Sequence, residues 1–116
     1  MTEAERSQLV LAFARTLYVN GQATEQTIDA AERLARALGL RATLLPRWGV
    51  LQLLLDDERD MMAAHVAADP AGIEMDRVAA AMRAIDAIEA GRLAPDAAME
   101  RIGEISRSAP APTWPR

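Results

Sequence analysis

Apolar residues recur at intervals of three and four through the first third of the chain, and that spacing predicts two helices. Leu9, Phe13 and Leu17, with Val10, Ala14 and Tyr18 beside them, form a broad apolar face over 3–19. Asn20-Gly21 stops that run. A narrower stripe of Ile28, Ala31, Leu34, Ala35 and Leu38 follows over 25–38, with Glu32, Arg33 and Arg36 largely off it. Thr24 stands where its hydroxyl can cap the second helix, and Glu25 puts a negative charge in the first turn. Gly39 can take the left-handed conformation that closes the helix, with Leu40 folding back on the last turn. So short a connection predicts an αα-hairpin sharing one core, with the second helix as its pivot.

After Leu40 the period changes. Thr43-Leu44-Leu45 and the run from Trp48 to Leu55 are rich in strand formers and predict two short strands meeting near 47–49. Pro46 has no N–H to give to a ladder, which confines it to an edge or a bulge. Asp56-Asp57-Glu58-Arg59-Asp60 reads as a charged turn. The segment 61–68 is ambiguous: its Met and Ala content favours a helix, whereas a third strand would complete a sheet of independently stable size. Beyond the break at Asp69-Pro70-Ala71-Gly72, Met75, Val78, Met82, Ile85 and Ile88 mark an amphipathic helix to about residue 90, ended by Gly91. Pro95 opens a last helix bearing Ala98, Met99, Ile102 and Ile105. From Ser106 the composition is that of an extended tail, so the domain is read as 1–108 and the Pro-rich tail as 109–116.

Composition narrows the function classes. A length of 116 residues fits one domain, and with only Phe13, Tyr18, Trp48 and Trp114 as aromatics its core is built from Leu, Ala, Val, Ile and Met. A net charge of −4 with interspersed signs offers no basic face, which argues against nucleic acid as a partner. There is no cysteine for a disulfide or a thiolate metal site, and His65 is the single histidine. Thr2 to Gln8 is polar and acidic rather than a signal peptide, and the apolar runs fall short of the roughly 20 residues that span a bilayer. The chain is expected to be soluble.

Candidate sites are sparse. The helix start at Thr24 could hold a carboxylate or phosphate, although an ordinary N-cap is the commoner use of such a residue. Arg47 with Trp48 and Thr43 could line a pocket in which the guanidinium pairs with an amino acid's carboxylate; against this, a lone tryptophan is more often an anchor in a core or interface. His65 and Asp69, four residues apart, return to one face of either a helix or a strand and could act as a base or hold a metal, but two residues are too few for a metal site. The acidic cluster at 56–60 lacks the glycine spacing of a calcium loop. No serine has the flanking glycines of a nucleophile elbow. The candidates for ligand binding are therefore Thr24, Arg47, Trp48, His65 and Asp69, with no catalytic residue, metal site or cofactor expected.

Taken in order, several landmarks resemble the N-terminal soluble domain of the threonine/serine exporter family. They are Leu17 to Gly21 with Thr24-Glu25, the run from Arg33 to Leu40, Pro46-Arg47-Trp48 before an apolar strand, and Ala68-Asp69-Pro70 with Gly72, Met75 and Val78. Gly91 and the last helix continue the pattern, which covers roughly 8–108. The resemblance implies an antiparallel three-stranded sheet in the middle, hence a strand within 61–68, and an α+β domain of order αα-βββ-αα. It also implies a cytoplasmic position, a transmembrane exporter part as partner in the same or a separate chain, and threonine or serine as the transported substrate. Met61-Met62-Ala63-Ala64 departs from the pattern in being helix-prone, and Ala94 stands where a serine or threonine cap is expected. The leading expectation is a non-enzymatic accessory domain with a regulatory or assembly role, in which a homo-oligomer contact would use an edge strand near Pro46 or Met61 or an Ala-rich helix face. The alternatives are a small hydrolase-like protein using His65 and Asp69 and a stand-alone ligand-binding or interaction protein.

Overall fold

In a computed structural model the chain is α+β, and the structure describes residues 1–47, 49–55, 63–68 and 72–108, with the backbone alone for 63–65. Two helices, α1 (Glu3–Val19) and α2 (Thr24–Ala37), precede three strands, β1 (Ala42–Arg47), β2 (Val50–Leu55) and β3 (Ala63–Ala67). Two more helices follow, α3 (Met75–Glu89) and α4 (Pro95–Arg107). The last helix runs on through Ser106 and Arg107, where the composition already turns to that of a tail.

The pivot is α1 rather than α2. It packs against α2, α3, α4, β2 and β3, and Leu9, Val10, Leu11, Phe13, Ala14 and Leu17 are all but fully buried. The cause is the breadth of its apolar surface, which leaves no solvent face in its middle turns wider than Arg15 and the edges of Ala12 and Tyr18. By contrast α2 buries the expected stripe of Ala31, Leu34, Ala35 and Leu38, adds Thr27 and Ala30, and leaves Ile28 half-buried. Its end is the predicted one. Gly39 has φ 77°, its N–H bonds to the Arg36 carbonyl at 3.0 Å, and the buried Leu40 donates its N–H to Ala35 at 2.8 Å.

The sheet has the order β1-β2-β3 with both pairs antiparallel, and pairing with β2 settles 63–67 as strand against the local preference of Ala for helix. Leu44, Leu51 and Leu53 face the helices and are fully buried. The hydrogen-bond phase is fixed by one contact: the N–H of Leu44 donates to Glu32 Oε2 of α2 at 3.1 Å, so it points away from β2. Opposed residues of an antiparallel pair alternate between exchanging both bonds and exchanging none. Leu44 and its partner Leu53 are therefore a non-bonded pair, and the next residue of β1 to point outward is Pro46, which has no N–H. Proline on this edge costs no ladder bond.

Candidate functional site

The turn from α1 into α2 is where distant parts of the chain converge. Asn20 is buried and fully employed: its Nδ2 donates to the Thr16 carbonyl at 2.7 Å, its Oδ1 accepts from Arg77 Nη1 at 3.3 Å, and its carbonyl accepts the Glu74 N–H at 2.9 Å. Arg77 Nη2 also donates to the Ser108 carbonyl, so one guanidinium ties the end of α1, the start of α3 and the end of α4. Next to Asn20, Gly21 has φ 101° and lies against the backbone of Gly72 and Ile73, where an added Cβ would come within 3.2 Å of three atoms. Only glycine meets both demands without strain. Ile73 and Met75, just after this contact, are exposed apolar side chains.

Thr24 does not cap α2. Ala23 occupies the N-cap position with no side-chain bond, since the chain enters the helix one residue earlier than expected, the Thr27 N–H bonding to the Ala23 carbonyl at 2.9 Å; the Ala23 N–H itself goes to Gln22 Oε1 at 3.0 Å. The exposed Thr24 is left as the first helical residue, while Thr27, buried one turn on, bonds its hydroxyl to the Ala23 carbonyl at 3.0 Å. Arg47 is exposed at the end of β1 opposite Val50, and His65 lies in β3 opposite Gln52. The strand β2 separates them, at two strand spacings or about 9.5 Å apart across the sheet. Among the described residues no hydrogen bond joins Thr24 or Arg47 to another candidate. Trp48, Asp69, Met61, the acidic cluster of 56–60 and the His65 side chain lie outside the described residues.

Two adjoining surface depressions went unsignalled by the sequence pattern. One, of about 400 Å³, is lined by Met1, Ala4, Glu5, Gln8, Asp96 and Met99. The other, of about 350 Å³, shares Met1 and Asp96 and adds Arg6, Ala37, Leu38 and Pro95. Arg6 donates Nη1 to the Leu38 carbonyl at 3.1 Å, and its buried Nε has no partner among the described residues. Glu5 belongs to a capping box with Thr2, the N–H of each bonded to the other's side chain at 2.8 and 3.0 Å. Those bonds hold its carboxyl below the usual glutamate range. The T-x-x-E signature at residues 2–5 is the sequence signal for this end of the groove. Opposite charges line them, Glu5 and Asp96 in the first and Arg6 with Asp96 in the second, but both depressions are open to solvent, and no described group in them forms a nucleophile–base pair.

The helix pair α2 and α3 is tied on its outside. Arg33 of α2 donates to Asp86 at 2.8 Å and to both carboxylate oxygens of Glu89, and these acids, Glu89 foremost, raise the guanidinium's already high pKa. The pair is partly exposed and belongs to the surface, where such contacts contribute about 0.2–1 kcal/mol. Among the described residues there is no group of three or more His, Cys, Asp or Glu able to hold a metal ion, and no helix is long and apolar enough to cross a membrane.

No curated protein and no solved structure gives a significant match. A sequence model of one family, described as a threonine/serine exporter, matches residues 8–116, from the second turn of α1 through every later element. The chain therefore belongs to the threonine/serine exporter (ThrE) family.

Proposed function

We propose that this chain is a cytoplasmic accessory domain of a threonine/serine export system, acting by organising or regulating a membrane part and performing no catalysis of its own. The observation that carries the reading is the family match over 8–116 of a chain whose described helices are all too short and polar to cross a membrane. A transport pathway for a zwitterion needs membrane-spanning structure, so this domain's contribution is to something other than the pathway itself. The tight convergence on Asn20, Gly21 and Arg77 supports a rigid scaffold. Substrate sensing would fall to the groove between the starts of α1 and α4, where Arg6 and Asp96 carry the charges that an amino acid's carboxylate and ammonium would seek.

Deleting the gene from its native cells is expected to lower threonine and serine efflux from cells loaded with either amino acid, and the wild-type gene is expected to restore it. Efflux unchanged by the deletion would remove the accessory reading. Titration calorimetry of the purified chain with threonine and serine separates the two roles, because no heat at millimolar ligand eliminates sensing and leaves scaffolding.

A further inference from the structure

The two edges of the sheet are unlike. On β1 the outward N–H of Leu44 is occupied by Glu32, and the next outward position is Pro46, which has none to offer. Of the outward positions 42, 44 and 46 on that edge, two thus offer no N–H to a further strand. The phase then carries across the sheet. Leu44 is opposite Leu53, and Leu53 is opposite Ala64, so Leu53 with Ala64 and Leu51 with Val66 are the bonded pairs between β2 and β3. Two contacts agree with this: the Ala68 N–H bonds to the Gly49 carbonyl at 2.8 Å, continuing the bonded series, and the Ala67 carbonyl accepts Arg15 Nε at 2.9 Å from outside the sheet. Ala63, His65 and Ala67 consequently turn their N–H and C=O groups away from β2.

From this edge we infer that β3 joins two copies of the chain, antiparallel and about a two-fold axis at His65, fusing two three-stranded sheets into one of six. The outward residues are self-complementary about that axis, with His65 meeting His65 of the second copy and Ala63 meeting Ala67, so each outward N–H finds a carbonyl. Such isologous contact is what a two-fold dimer requires. Ala63-Ala64-His65-Val66-Ala67 carries no proline, lysine or carboxylate, the residues with which edge strands are ordinarily guarded. Among the described residues β3 touches only β2 and α1. Among the described residues the one group on the edge is the exposed Arg15 at the Ala67 carbonyl, and a carbonyl keeps a second lone pair for a strand partner. A strand this short buries little area, so the dimer is weak and concentration-dependent. The pairing gives the assembly role proposed above a physical form; it rests on that reading for its purpose and not for its geometry.

Sedimentation velocity of the full chain up to about 1 mM, where even a millimolar Kd leaves a measurable dimer population, is expected to show mass rising towards twice that of the monomer. His65→Pro removes an outward N–H that no described residue accepts and is expected to return the protein to monomer with its far-UV circular dichroism intact. Ala64→Pro removes a bonded N–H and is expected to destabilise the fold instead. Hydrogen exchange on the unmodified chain covers the case in which His65→Pro fails to fold: the amides of Ala63, His65 and Ala67 should gain protection as concentration rises. A chain that stays monomeric, a dimer untouched by His65→Pro, or a dimer in which those three amides exchange as fast as in the monomer would each overturn the proposal. The readout is mass and exchange rather than export, so loss of the dimer and loss of the accessory reading are separable results.

Discussion

At the scale of single residues the fold depends on positions where the backbone's own groups are the ligands. Gly21 is the most constrained, since its φ of 101° strains any other residue and a Cβ would crowd Gly72 and Ile73 at 3.2 Å. Gly21→Ala is expected to cost about 2 kcal/mol, the order of a strained backbone residue, and to appear as a lower midpoint in urea denaturation. Glu5 gives a pH dependence. Its carboxyl is held below the ordinary glutamate range by the Thr2 backbone N–H and hydroxyl, so its capping stabilises the start of α1 above the unfolded-state pKa. That contribution is lost as pH falls through the lower folded-state value. Protection of the Glu5 amide, whose N–H the Thr2 hydroxyl accepts, measured against the intrinsic exchange rate at each pH, should fall across that acidic window in the wild type and be uniformly low in Thr2→Ala. Signals of this kind are legible in sequence when they are local. Gly39 with Leu40 was readable because the motif needs only its own helix end, whereas the Thr24 cap was lost because the helix begins one residue earlier, at an Ala23 N-cap that the residue pattern does not mark.

The elements themselves were legible where one period ran long enough. Four helices and two strands follow from apolar spacing, but β3 does not, because Ala and Met prefer helix and the strand exists through its pairing with β2. The relation between elements is set by single contacts that no periodicity encodes, such as Glu32 of α2 on the Leu44 N–H of β1. Glu32→Ala is expected to cost about 1 kcal/mol by orphaning that donor, and to make the protein more prone to aggregate by freeing an N–H on the β1 edge. Thermal unfolding and light scattering measure the two effects separately, and Glu32→Gln, which keeps an acceptor, should show less of each.

For the whole molecule, the sequence pattern identified a family and a layer order but misplaced the centre. Its candidate residues were chosen by chemistry, and two of them, Arg47 and His65, lie on opposite edge strands, while the groove formed by Arg6, Glu5 and Asp96 joins helix ends far apart in the chain. A site of that kind is assembled by tertiary packing and leaves no spacing to read. The placing of α1 at the hub bears on how the protein comes into being. It is synthesised before α2, the sheet and α3, yet part of its covering is α4, which follows all of them. The surface it turns to α4 therefore waits, uncovered, while the sheet and α3 are being made. A nascent chain halted before α4 would present that apolar surface to chaperones, so completion of the last helix is the step that commits the domain to its folded state.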